Sequence, residues 1–116
     1  MRVPCLLASA LTLLALSGCH SAHVDATVSN RTATPIPLIE VDYPSASFGT
    51  ENLAPGQDFH YRFKILGDGP TKIIYTDSTQ TEKHADGPTL QEGQGGQLHV
   101  TIAPDGVHWQ APPAKR

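Results

Sequence analysis

The sequence predicts an all-β protein, an antiparallel sandwich of about seven short strands. Three observations predict it. Beyond residue 22, apolar and polar residues alternate with period two. Clusters of Gly, Pro, Asn and Asp recur between those runs, and no stretch there repeats at helical spacing.

The first strand is expected over residues 23–29, where Val24, Ala26 and Val28 alternate with Asp25, Thr27 and Ser29. Residues 30–34 carry turn chemistry ended by Pro35. Residues 36–43 form the second strand, with Ile39, Val41 and Tyr43 on one face and Leu38, Glu40 and Asp42 on the other. Pro37 cannot donate to a ladder, so it implies an edge position or a bulge at that strand's start. Residues 44–57, rich in Ser, Gly and Pro, read as a loop in which Leu53-Ala54-Pro55-Gly56 turns the chain into the next strand. That strand has the clearest pattern of all. Phe59, Tyr61, Phe63 and Ile65 face one way and His60, Arg62 and Lys64 the other, which predicts the centre of the core.

Gly67-Asp68-Gly69-Pro70 is a strong turn, followed over residues 71–76 by a β-branched strand with Ile73 and Tyr75 inward. Asp77-Ser78-Thr79-Gln80 turns into a polar edge strand over residues 81–85, whose Glu82 and Lys83 discourage edge-to-edge pairing. Residues 86–96 read as a long, flexible, glycine-rich loop. Leu98, Val100 and Ile102 form one face of the next strand, with His99 and Thr101 opposite. Pro104-Asp105-Gly106 leads into a last strand over residues 107–110, and residues 111–116 are expected to fray. Two registers are open at this hairpin. A three-residue loop pairs Thr101 with Trp109 and exposes the indole beside His99, whereas a two-residue Asp105-Gly106 turn pairs Ile102 with Trp109 and buries it. Apolar matching favours burial. By analogy the sandwich is immunoglobulin-like, although the disulfide and core Trp of antibody domains are missing; a small β-barrel of the OB or lipocalin kind is the alternative.

The first eighteen residues have the layout of an export signal. Arg2 is their only charge, and residues 6–16 are apolar apart from Ser9 and Thr12. That run is shorter than the roughly 20 apolar residues needed to cross a bilayer. It ends in Leu16-Ser17-Gly18-Cys19, which resembles the lipobox of bacterial prolipoproteins at all four positions. The resemblance implies a diacylglycerol joined to Cys19 by a thioether, cleavage between Gly18 and Cys19, and an amino terminus open to acylation. The chemistry suits the residues: a thiolate is the nucleophile, and small side chains at Ser17 and Gly18 admit a peptidase to the backbone. Residues 1–18 are thus read as the signal peptide, 19–22 as a lipidated tether, 23–110 as the folded domain and 111–116 as a tail. Cys5 leaves with the signal and Cys19 carries lipid, so the domain is expected to stand on packing without a disulfide.

Cleavage removes Arg2 and no acid, leaving seven Lys and Arg against eleven Asp and Glu. Charges of both signs are spread along the chain with no basic block, so nucleic acid is not an expected partner. Six histidines raise the question of a metal. Their spacings are irregular, and the only near pair, His20 and His23, lies on the tether, so no metal or other cofactor is expected. No Gly-x-Ser-x-Gly elbow occurs, and Ser45 and Ser47 read as loop residues bonding nearby backbone. Glu40 and Asp42 share a strand face, but a domain this small could hardly enclose the cleft that glycosidase acids need. Gly93-Gln94-Gly95-Gly96 lacks the Lys-Ser/Thr and helix of a phosphate loop. Asn30-Arg31-Thr32 matches a glycosylation acceptor without default meaning in a bacterial lipoprotein. No enzyme is expected.

The expectation is therefore a non-catalytic envelope lipoprotein, an accessory or protein-interaction module held on the bilayer through Cys19. The alternative is a ligand-binding lipoprotein taking sugar, peptidoglycan or metal at loop ends or exposed aromatics and histidines. Trp109, Tyr43 and His99 are the candidate surface for it. His20 stands where an Asp would resemble an inner-membrane retention signal, which favours the outer membrane.

Overall fold

The computed structural model describes residues 22–114, and every regular element among them is a strand. The eight strands are β1 (Val24–Asn30), β2 (Ile36–Tyr43), β3 (Ala46–Leu53), β4 (Asp58–Phe63), β5 (Gly69–Thr76), β6 (Glu82–Leu90), β7 (Gly96–Ala103) and β8 (Gly106–Gln110). They form two four-stranded sheets, ordered β4-β1-β7-β8 and β3-β2-β5-β6. The molecule is a two-layer sandwich, as the alternation predicted. Among the described residues no helix is long and apolar enough to cross a membrane.

The core lies between the two sheets and is supplied by the central strands. Val24, Ala26 and Val28 of β1 lie beside Leu98, Val100 and Ile102 of β7 in one sheet, while Ile39 and Val41 of β2 lie beside Ile73 and Tyr75 of β5 in the other. β1 and β7 pair in parallel, with Val24 opposite Gly96 and Val28 opposite Val100, so the expected all-antiparallel pairing is broken once. Antiparallel neighbours can follow each other through tight turns, but parallel ones need a long crossover. Here that crossover is everything between β1 and β7, which includes the whole second sheet.

Four expectations are corrected by these strands. Residues 44–57 do not loop throughout, because they contain β3. Its hairpin with β2 closes on Pro44-Ser45, Ser45 taking the positive φ (81°) that follows proline in a type II turn. Alternation failed to reveal β3 because Asn52 adopts φ 52° opposite Pro37, so the facing reverses there in both strands. Ile36 and Leu53 on one side of that break, and Ile39 and Phe48 on the other, all end inward. Pro37 did not make β2 an edge either: β2 lies inside its sheet, and the β5 pairing starts only at Leu38, so no ladder bond is missed.

Phe59, Tyr61, Phe63 and Ile65 were expected at the centre of the core, yet β4 is an edge strand. Phe63 and Ile65 are buried, but Tyr61 is 40% exposed because no strand lies beyond it. The apolar face was read correctly and its position in the sheet was not. β6 is the exposed edge strand expected at residues 81–85, but it runs on to Leu90 through what had read as loop. The pairing shifts between Pro70 and Lys72 and adds one residue to β6, a bulge at Gly87-Pro88. The Thr71 hydroxyl donates to Pro88 O there at 2.7 Å.

Buried amides fasten the two ends of the sandwich. Asn30, fully buried, donates from Nδ2 to Thr34 O and Leu53 O, each at 2.9 Å. Its Oδ1 accepts from the Thr32 amide (2.9 Å) and hydroxyl (2.6 Å). At the other end Gln94 accepts from the Gln91 amide and donates to Pro112 O and Pro113 O. Neither the Gly93–Gly96 stretch nor residues 111–114 are therefore loose, as had been expected. Gln94 and Pro112 are both buried, and a side chain on Gly96 would strike Pro113.

Candidate functional site

Cys19, and the cleavage point between Gly18 and Cys19, lie outside the described residues. The three residues of the candidate ligand surface lie within them, in three separate places. His99 is on the outer face of the first sheet, level with Thr27 of β1 and Gln110 of β8. Tyr43 lies between the sheets at the end of β2, stacked on Phe63 with ring centroids 4.0 Å apart. Burial, and secondarily Tyr61 nearby, push its hydroxyl pKa above the ordinary value.

Trp109 faces inward at the opposite edge. Neither expected register is adopted at its hairpin: the turn is Pro104-Asp105, so Ala103 pairs with Gly106 and Val100 with Trp109. Proline takes the first turn position, where its fixed φ fits and its missing N–H is harmless. The indole then packs against the core and covers Gly87 of β6. A Cβ at Gly87 would lie 2.7 Å from two indole carbons and closer still to Thr71 Oγ1. The Trp109 Nε1 is buried and finds no acceptor among the described residues. Tyr43, His99 and Trp109 therefore do not form one surface.

The outward faces carry the polar groups. On the first sheet, His60 Nδ1 and Thr27 Oγ1 are 3.0 Å apart, with Arg62 beside Asp25 at 3.6 Å and Arg31 on Asp58 at 3.1 Å. The Ser29 hydroxyl, then Arg31, hold the Asp58 carboxyl below its ordinary range. His108 bonds Asp105 at 2.8 Å and lowers its pKa. Among the described residues no three His, Cys, Asp or Glu converge as a metal site.

The second sheet's outer face is acidic. Strand alternation and register place Glu40, Asp42, Glu51, Glu82 and Asp86 on it, with Lys72 and with His84, 3.2 Å from Glu82, among them. Glu40 is raised above the usual carboxylate range by a hydrogen bond with Asp42 and by that neighbour's charge. Leu38, 50% exposed, lies on this face towards its Asn30 end, level with Glu51 and Thr76. Beside it is an open hollow of about 340 Å³ lined by Leu38, Glu40, Ser47, Gly49 and Glu51. Lys72 and Leu38 lie beside the two carboxylates on this open face. Sequence reasoning found these acids as a face but passed over Gly49, whose missing side chain leaves the hollow open beside Ile39 O.

The described residues thus define a class by fold, an all-β two-layer sandwich with polar outer faces. No family model matches the chain, and no curated protein matches it. Its fold is similar to that in the NMR structure of a protein from Eubacterium rectale, with a TM-score of 0.57 at 10% identity. The match covers 85% of this chain and 98% of that one. At that identity the likeness is one of fold.

Proposed function

We propose that this chain is the precursor of a lipid-anchored envelope protein whose sandwich is a non-catalytic interaction module. The observation that carries the reading is Leu16-Ser17-Gly18-Cys19 behind Arg2 and an apolar run, with β1 opening at Val24. Folded structure begins five residues past the lipid-bearing cysteine, which leaves room for a tether and nothing more. The anchor lies on Cys19, in the outer membrane, where His20 replaces the retention-type Asp.

Two further features support an interaction role over catalysis. The paired acids Glu40 and Asp42 lie on an open sheet, where no substrate could be desolvated. The half-exposed Leu38, framed by carboxylates, suits a protein partner with a basic, partly apolar surface. Labelling cells with an alkyne fatty acid tests the anchor. The wild type is expected to take the label and fractionate with membranes. Cys19→Ala is expected to lose both properties, and equal labelling of the two would overturn the reading.

A further inference from the structure

We propose that the end of the sandwich carrying Leu66 rests on the bilayer, with the Leu66 side chain inserted among the lipids and Lys64 at headgroup level. The inference rests on the lipid anchor proposed above and adds an orientation to it.

Leu66 is the most exposed large apolar residue of the described chain, at 63%. It follows β4, where Phe63 and Ile65 turn inward and Lys64 and Leu66 turn out together. A chain of contacts connects it to the tether. Ile65 O accepts the Gly93 amide, the position of a Cβ on Gly95 is 3.2 Å from Ala22 Cβ, and the Gly96 amide donates to His23 O. Leu66 and Ala22 therefore belong to one end of the molecule. Ala22 is three residues from Cys19, a span of about 11 Å at full extension, so this end cannot stand far from the membrane surface.

The same end is firm enough to hold an orientation. Gln94 fixes Pro112 and Pro113 to it, and Asp68 Oδ1 accepts the Glu92 amide at 2.8 Å, turning that carboxylate onto the protein's own backbone. Lys64 can lay its stem along the apolar boundary and hold its ammonium among lipid phosphates. Two acyl chains already secure the protein, so Leu66 is not needed for attachment. Its transfer from water is worth several times the thermal energy. A tether this short would otherwise let the domain tumble or lie on either outer face. With Leu66 inserted, β1 stands off the membrane and the Asn30 end points outward, leaving the acidic outer face of the second sheet free for a partner.

Leucine methyl NMR of the lipidated full-length mature protein in nanodiscs tests this. Its leucines are Leu38, Leu53, Leu66, Leu90 and Leu98, of which Leu53, Leu90 and Leu98 are buried. Leu66→Ser and Leu38→Ser assign the two exposed signals. With doxyl-labelled lipid the Leu66 signal is expected to weaken several-fold more than that of Leu38. A soluble gadolinium chelate should give the reverse order. Equal attenuation of both signals, or a Leu66 signal reached by the chelate alone, would overturn the proposed orientation while leaving the anchor intact. Protein that carries no lipid on Cys19 by mass and separates from the discs would overturn both readings.

Discussion

Replacing Asn30 with alanine removes one end of the sandwich's fastening, and the structure sets the magnitude. The Asn30 amide makes two donor bonds and two acceptor bonds from a fully buried position at the end of β1. Truncation takes the donor from Leu53 O in the interior, a loss of about 1–3 kcal/mol for a buried unsatisfied group. Thr34 O and the Thr32 amide are half-buried and regain part of their bonding from water, adding about 0.5–1 kcal/mol each. The expected loss is therefore about 2–5 kcal/mol, read by urea titration of the domain from Ser21 onward, with an unchanged slope. Asn30→Asp gives the electrostatic counterpart. A carboxylate there would face the Leu53 and Thr34 carbonyl oxygens, so its folded-state pKa lies above the unfolded value of about 3.9. The deficit against wild type is then smallest below that pH and grows as pH rises through the folded pKa. An alanine loss under about 1 kcal/mol, the level of an ordinary surface change, or a pH-independent Asp deficit would refute the clamp.

Three further outcomes follow from the same geometry. Phe63→Ala should cost about 3–5 kcal/mol, since its ring is buried against Tyr43, whereas the exposed Arg62→Ala should cost under about 1 kcal/mol; comparable losses in denaturant would reverse the faces of β4. Gly87→Ala forces a methyl onto Trp109 and Thr71, so a loss of about 1–3 kcal/mol and a red-shifted, more iodide-quenchable emission from the single tryptophan are expected, and unchanged fluorescence would contradict the packing. The Asp77 carboxylate accepts from the Thr79 hydroxyl and from the Thr81 and Thr79 amides, which lowers its pKa. Its contribution is present above the unfolded pKa and fades as pH falls through the folded one, and an NMR titration midpoint at or above the ordinary aspartate value would contradict this.

Period-two alternation made β1, β2 and β7 legible because each carries three inward apolar residues in alternation, and β5 because Ile73 and Tyr75 alternate inward after the buried Thr71. The strands it missed or cut short are those where the backbone leaves that period. Asn52 at positive φ reverses the facing in β3, and the Gly87-Pro88 bulge gives β6 an extra residue just where Gly and Pro signal a loop. Edge or centre was not legible for β4, since four aromatic and aliphatic residues look the same whether or not another strand lies beyond them. Trp109 depended on a turn choice: placing the turn at Pro104-Asp105 satisfies both apolar matching and proline chemistry. The proposed lipid site rests on a string of four residues, Leu16-Ser17-Gly18-Cys19, read from the sequence alone. The hollow at Gly49, the Trp109–Gly87 contact and the exposure of Leu66 required the fold, because each joins residues from strands distant in sequence or depends on what a neighbouring strand leaves uncovered.

The mass of the intact protein purified from envelopes decides whether Cys19 carries the anchor. The expected species is a chain beginning at Cys19, heavier than its residues by a diacylglyceryl group, with or without a further acyl chain on the amino terminus. A chain still beginning at Met1, or one with an unmodified Cys19 thiol, would contradict it.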